Sequence, residues 1–236
     1  MLKKSIVISC LALCSLGLLG GPAHAADKRP LSPRDAGIVT VAAFTAQGDL
    51  ENLRPALNQA LDAGMTVNEV KEVLLHLYAY SGFPRCLNGL NTLISVLEER
   101  KAAGIEDVVG RDATPVDPNR DRLANGTKTQ TELVGRPVSG KTYDFAPFAN
   151  TLLREHLFND LFERDLLTYQ EREFATVGAL AGIGNVNPQL AGHMRCSLNV
   201  GITEEQLQEA VSLLGERVGQ KTGDNAQSVL EKVLQK

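Results

Sequence analysis

The chain has 236 residues, of which 43% are hydrophobic and 22% are charged, with a net charge of −4. This length allows one large domain or two small fused ones with a sizeable core. The lack of clustered Lys and Arg excludes a nucleic-acid-binding surface. The absence of Trp, with only 5% aromatic residues, argues against platforms for base stacking. Frequent Ala, Leu, Val, Glu and Gln favour helices over strands.

Residues 1–25 have the pattern of a signal peptide. Two lysines precede an apolar run that ends near the small-x-small motif Ala23-His24-Ala25. The run is too short for a good membrane span. We therefore expect cleavage, a mature chain from about Ala26, a secreted or periplasmic protein and no membrane segment after cleavage. A lipoprotein signal at Cys10 is the alternative.

Helix start and stop signals alternate through residues 26–104. Ser32-Pro33-Arg34-Asp35 is a capping pattern that predicts a helix ending at Gly48-Asp49. A second helix is predicted up to Gly64, and a third begins at the capping box Thr66-Val67-Asn68-Glu69. A fourth is predicted to run from Gly82-Phe83-Pro84 to Gly104.

The third predicted helix carries a cluster of reactive side chains. Glu72, His76 and Tyr80 follow one another at a spacing of four, so they share one face of a helix. Cys86 follows the break at Gly82. This spacing predicts a carboxylate, an imidazole, a phenol and a thiol close together.

The second half of the chain repeats this pattern. Residues 105–144, rich in Thr, Asn, Asp, Gly and Pro, are predicted to form a connector with one short ordered piece. Helical periodicity and capping boxes return in residues 145–236. Boundary residues of the two halves lie 137 positions apart, as Gly64 and Gly201 do. We therefore predict an all-α fold of two tandem helical repeats packed against each other, 26–104 and a degenerate 145–236.

The second repeat lacks the reactive cluster and offers other groups instead. His193 and Cys196 lie at i and i+3 on one predicted helix. Two ligands do not make a metal site, and we predict no metal and no cofactor. Because small helical units bury their apolar faces by pairing, the cluster on the third helix is expected to face His193 in one composite site. Cys86 and Cys196 are either free or bridged.

Two motifs resemble the carboxymuconolactone decarboxylase family, which includes the alkylhydroperoxidase AhpD-like proteins. The first is EVLLHLYAYSGFPRCLNGL, which begins at Glu72, and the second is QLAGHMRCSLNVGITEEQLQEAV, which contains His193. The resemblance covers nearly all of the mature chain and implies an all-α fold of helical units. It also implies either decarboxylation of a lactone-like acid or thiol-based reduction of peroxides. AhpD-like peroxidases use a C-x-x-C pair and a following histidine, whereas this chain has Phe83 and Leu90 at two of those three positions.

Each candidate residue has a catalytic and a structural interpretation. Glu72 and His76 are candidates for proton transfer, or are a solvated acid and a core histidine. Tyr80 is a candidate acid or a packing residue. The Cys86 thiol, near Arg85 and a helix start, is a candidate nucleophile or a small buried hydrophobe.

Positively charged residues near the reactive groups are the candidates for binding a substrate. Arg85 and Arg195 are candidates for binding a substrate carboxylate, or are surface residues. The first hypothesis is cofactor-independent proton transfer on a small organic acid. The second is a single-cysteine peroxidase that uses Cys86, and the third is a non-catalytic binding protein. The resemblance further implies a homo-oligomer, for which we expect a trimer of tandem chains.

Overall fold

The computed structural model describes residues 30–235, and this part of the chain is helical without a strand. The predicted signal peptide lies outside the described residues. The all-α fold is thus confirmed. The helices are α1 (Pro33–Gln47), α2 (Leu50–Asp62), α3 (Val67–His76), α4 (Tyr78–Ala102), α5 (Arg122–Val134), α6 (Lys141–Phe145), α7 (Pro147–Leu152), a π-helix (Leu153–Leu161), α8 (Tyr169–Ile183), α9 (Asn187–Asn199), α10 (Glu204–Arg217) and α11 (Gln220–Leu234).

Local capping chemistry places the helix starts. The side chains of Thr66, Thr168 and Thr203 each accept a hydrogen bond from the backbone N–H three residues further on. The side chain of that third residue in turn accepts a hydrogen bond from the backbone N–H of the threonine. Ser32 caps α1 in the same way through the N–H of Asp35. These contacts satisfy backbone donors that a helix start leaves free.

Two buried helices, α1 and α8, form the centre of the fold. Their inner residues, 37–46 and 172–181, are all buried, and α1 packs more extensively against α8 than against any other described helix. Gly178 lies against the carbonyl of Val39, where a Cβ atom would come within 2.5 Å of the oxygen. Because glycine has no side chain, the backbones of α1 and α8 approach each other closely at Gly178.

The helix bounds of the two halves keep a constant spacing. Both ends of α9 lie 137 positions after those of α2, and α10 begins 137 positions after α3. Positive φ angles recur at the same spacing, at Gly48 and Asn185. These observations support two tandem repeats, and the boundaries 26–104 and 145–236 stay predictions.

Residues 105–144, predicted to be a connector with one short ordered piece, contain α5 and most of α6, and the helical pattern predicted after residue 145 is present in α7 and the π-helix. α5 packs against the π-helix and α7 precedes it. Leu133, Leu157, Phe158, Leu161 and Phe162 form a small second core there. Tyr78, Tyr80 and Tyr169 pack against that core, so this region covers one side of the helices that carry the candidate residues.

The stretch that carries the first motif is bent rather than straight. The helix predicted to hold Glu72, His76 and Tyr80 is divided at Leu77, so Tyr80 lies in α4. Leu77 keeps helical angles (φ −71°, ψ −18°), and the direction of the chain changes at Gly82 (φ 81°, ψ 159°). The break predicted at Gly82 is therefore present, although α4 is assigned across it.

No helix in residues 30–235 combines the length and the apolar character needed to cross a membrane.

Candidate active site

Glu72 is bound by two guanidinium groups. Its side chain is 1% exposed, and Arg172 Nη2 donates to its Oε1 at 2.8 Å. Arg164 Nε lies 2.9 and 3.0 Å from the two carboxylate oxygens. With both oxygens engaged by cations, Glu72 is placed to hold Arg172 and Arg164 rather than to exchange a proton with a substrate.

His76 is a buried, neutral imidazole with a defined tautomer. Arg172 Nη1 lies 3.3 Å from its Nδ1, and because arginine is always a donor, Nδ1 accepts. The other nitrogen, Nε2, therefore carries the proton and donates to Thr176 Oγ1 at 2.9 Å. Burial first, and then the charge of Arg172, lower the pKa of His76 well below its ordinary value.

Tyr80 connects the two halves of the site. Its ring centroid lies 5.3 Å from that of His76 and 5.5 Å from that of His193, the latter edge to face. Its hydroxyl is buried and has no hydrogen bond of good geometry within residues 30–235. Burial raises the pKa of the Tyr80 phenol, and the charge of nearby Glu173 raises it further. The hydroxyl is therefore protonated and available as a donor.

Glu173 and His193 form an acid–imidazole pair on neighbouring helices. Glu173 on α8 is fully buried, and its Oε2 lies 2.9 Å from His193 Nδ1 on α9. The other carboxylate oxygen, Oε1, has no partner among the described residues. The His193 side chain is 17% exposed, so this pair combines a buried carboxylate with an imidazole that solvent reaches.

Sequence reasoning missed Glu173, Arg172 and Arg164. From the sequence, Glu173 and Arg172 look like ordinary residues of the first turns of the helix capped by Thr168. A usable signal was present, because Arg172 and Glu173 are opposite charges that lead directly into the apolar run 174–181. Two adjacent charges on a helix that is otherwise buried must have partners inside the fold.

Within the described residues, Cys86 and Cys196 are free, buried thiols. Burial raises the pKa of Cys86. Burial first, and then the charge of Glu173, raise the pKa of Cys196 to about 12. No hydrogen bond joins Cys86 to Glu72 or His76 in the described part of the chain. The thiol predicted as a nucleophile therefore lies apart from a base, while Cys196 lies beside the Glu173–His193 pair.

Three side chains of the site lie close enough together to be considered as ligands of one metal ion. The ligand atoms of Glu173, His193 and Cys196 lie within 4.8 Å of one another. Ligands of a tetrahedral zinc ion, at roughly 2.0–2.1 Å from the metal, are about 3.4 Å apart, whereas His193 Nδ1 and Glu173 Oε2 are 2.9 Å apart. The hydrogen bond between them occupies these two atoms, so the geometry favours an acid–imidazole pair over a metal centre.

Neither arginine predicted to bind substrate is engaged in the site. Arg85 and Arg195 are exposed, and each donates to a carbonyl of its own helix, at 3.5 and 3.4 Å. Arg164 is a better candidate. It is 35% exposed, binds Glu72 through Nε, and its terminal nitrogens have no partner within the described residues.

In this all-α protein, a buried carboxylate–imidazole pair of the second repeat meets Tyr80 of the first repeat. Residues 20–94, which include α1, α2, α3 and the first part of α4, match the carboxymuconolactone decarboxylase family. This match covers the first helical unit and confirms the resemblance that the first motif shows. No curated protein matches the chain.

Proposed function

We propose that this protein acts on a small organic acid by proton transfer, in a decarboxylation or an isomerisation, and that it uses no cofactor. The observation that carries the proposal is the pair Glu173–His193, joined at 2.9 Å. A carboxylate that accepts from Nδ1–H orients the ring and leaves Nε2 as the basic atom. The imidazole is the side chain whose ordinary pKa suits proton transfer near neutrality.

The groups around the pair have separate roles in this reaction. When the substrate loses CO2, the electrons of the broken C–C bond form an enolate, and protonated His193 returns a proton to carbon. In an isomerisation, His193 removes a proton from one carbon and delivers it to another. The Tyr80 hydroxyl, which has no hydrogen bond of good geometry among the described residues, donates to the developing oxyanion. Arg164 supplies the positive charge for the substrate carboxylate.

The geometry gives less support to the predicted thiol chemistry. The pKa values of both cysteines are raised, so the reactive thiolate is scarce near neutral pH. Glu72 and His76, the candidate proton-transfer residues of the first motif, are engaged with Arg172 instead. The experiment below distinguishes an enzyme from a protein that binds the acid without turnover.

Deuterium incorporation tests the proposal without knowledge of the exact substrate. Mature protein is incubated in D2O with unsaturated lactone acids and 3-keto acids, and NMR follows C–H exchange and loss of the carboxylate. We expect His193→Gln and Glu173→Gln each to slow the reaction about 10²–10⁴-fold. His156→Gln is the matched control, because His156 pairs with Asp160 at 2.9 Å on the surface of the π-helix.

Each outcome of this experiment has a defined meaning. Full activity of His193→Gln would overturn the proposal. Activity that survives His193→Gln and fails in Cys86→Ser would identify a thiol enzyme. Binding of the acids without exchange, unchanged in all variants, would identify a binding protein. Activity is expected to survive dialysis against EDTA, since no step uses a metal ion.

We also propose that the protein is exported, as the sequence of residues 1–25 indicates. Intact-mass measurement of the protein recovered from the periplasm should give a chain that starts near Ala26. The predicted trimer of tandem chains stays a prediction.

A further inference from the structure

Several residues of the candidate site have counterparts on the opposite side of the α1–α8 pair. The spacing of 137 that relates α2 to α9 and α3 to α10 relates Ala56 to His193 and Gln59 to Cys196. It also relates Tyr80 to Arg217. In α1 and α8, whose cap residues Ser32 and Thr168 are 136 positions apart, Thr40 corresponds to Thr176 and Gly37 to Glu173.

A cavity of about 140 Å³ lies at these counterpart positions. We call it the opposite cavity, and it lies between α1, α2 and α10. Its lining residues are Thr40, Phe44, Asn52, Pro55, Ala56, Gln59 and Arg217. Since one water molecule occupies roughly 30 Å³ in the liquid, the opposite cavity has room for an acid of a few heavy atoms.

The opposite cavity has lost the groups that move protons. Alanine stands in place of His193, glutamine in place of Cys196, and glycine in place of Glu173. No imidazole, thiol or carboxylate is present among the described residues that line it. Whatever binds there meets no general base, so this cavity is suited to binding and not to turnover.

The opposite cavity has instead gained a positive charge. Arg217 is the one charged residue among the described lining residues, and its Nη1 donates to Gln59 Oε1 at 3.1 Å. The other guanidinium nitrogens have no partner within residues 30–235, and no carboxylate in that range pairs with Arg217. The amide nitrogen of Gln59 is likewise without an acceptor there. Two adjacent donors of this kind match the oxygens of a carboxylate.

We propose that the opposite cavity binds a small carboxylate anion through Arg217 and the Gln59 amide. The anion is a non-reacting ligand at a site separate from the Glu173–His193 pair. Acetate is the simplest member of the class, with a planar carboxylate and a volume that the cavity accommodates. A substrate or product of the proposed reaction belongs to the same class of acids.

The test is a titration of ¹⁵N-labelled mature protein with sodium acetate, followed by NMR, with sodium chloride at equal ionic strength as the reference. We expect saturable shifts of the Gln59 side-chain amide and the Arg217 Nε–H signal. Arg217→Gln should weaken binding at least about tenfold, because a charge-assisted hydrogen bond is lost. Gln59→Glu should weaken acetate binding similarly, since the new glutamate carboxylate would pair with the guanidinium of Arg217.

Two control variants make the result specific. Arg54→Gln, on the same helix as Gln59, removes an exposed guanidinium that is paired with Glu99 at 2.7 Å, and should leave the affinity unchanged. His193→Gln should also leave it unchanged, which separates this site from the proposed reaction. Equal shifts with chloride, or undiminished acetate affinity in both Arg217→Gln and Gln59→Glu, would overturn the proposal.

Discussion

At the scale of single residues, the buried ion network around Glu72 shows how the first motif is used. Arg172 is fully buried, and desolvation of such a cation is costly unless an anion compensates it. Glu72 supplies that anion and also binds Arg164, which comes from the end of the region that covers the site. The carboxylate thereby fixes Arg172 against His76 and joins α3 to α8.

Replacing Glu72 should therefore affect stability strongly. We expect Glu72→Gln to lower the free energy of unfolding by about 3–5 kcal/mol, because Arg172 is then buried without a counter-charge. Urea denaturation measures the change. Glu99→Gln is the control, since Glu99 pairs with Arg54 on the surface with 63% of its side chain exposed, and should change stability by less than about 1 kcal/mol. Equal stability of Glu72→Gln and the native protein would contradict the structural role.

The same residues show what could be predicted from the sequence. Glu72, His76 and Tyr80 share a helical spacing, so their closeness follows from local geometry. The prediction that His193 faces them rested on the repeat, and the structure places His193 against Tyr80. Arg172 and Glu173 are adjacent in sequence, yet one binds Glu72 and the other His193. Which partner each charge finds depends on how α8 packs between distant helices, and spacing does not contain that information.

At the scale of elements, the crossing of α1 and α8 depends on glycine. Gly178 and Gly182 of α8 face the backbone of α1 at Val39 and Ala43. Added Cβ atoms would lie 2.5 and 2.6 Å from the two carbonyl oxygens. Backbone atoms have little freedom to move aside in a packed interior, so these contacts determine how near the two helices can be.

Two glycine-to-alanine substitutions should consequently have opposite effects. We expect Gly178→Ala to destabilise the protein by about 1–3 kcal/mol through overpacking. Gly192→Ala, within α9, meets no atom within 4 Å and should stabilise it by up to about 1 kcal/mol, because alanine favours helix. Thermal unfolding of both variants measures this difference. A Gly178→Ala protein as stable as Gly192→Ala would show that α1 and α8 are able to separate.

Element boundaries were more predictable than the helices within residues 105–144. Capping boxes and glycines act locally, and they indicated α1, α3, α8 and α10 correctly. α5 has the sequence RLANGTKTQTELV, whose Thr, Asn and Gly residues give a weak helical pattern. It is stabilised by tertiary contacts, such as Asn125 with the fully buried Asn159 and Thr129 with Glu163.

At the scale of the whole molecule, the two sides of the α1–α8 pair have diverged. One side holds an acid–imidazole pair and the other an arginine that lines a cavity. The helical framework is shared, so the difference arises from a few side chains at equivalent positions. Phe83, Leu87 and Ile94 of α4 are exposed apolar residues, the kind of surface that the predicted homo-oligomer would cover.

The acid stability of the whole fold should depend on His76. Its pKa is lowered in the folded state, by burial and then by Arg172 and His193, while in the unfolded chain it is near 6.5. Below about pH 6.5 the unfolded chain therefore binds a proton that the folded protein does not. Stability is fully present above that pH and falls as pH drops, by up to about 1.4 kcal/mol per pH unit.

Urea unfolding between pH 5 and pH 7.5 tests this expectation. His76→Gln removes the titrating group, so its stability should fall less steeply with acid than that of the native protein. The other titratable groups near His76, namely Glu72, Tyr80 and His193, remain in place, so the difference in slope reports His76 itself. His156→Gln, at an exposed histidine, is the control for a histidine substitution outside the buried site. Equal slopes for the His76→Gln and native proteins would mean that folding does not lower the pKa of His76.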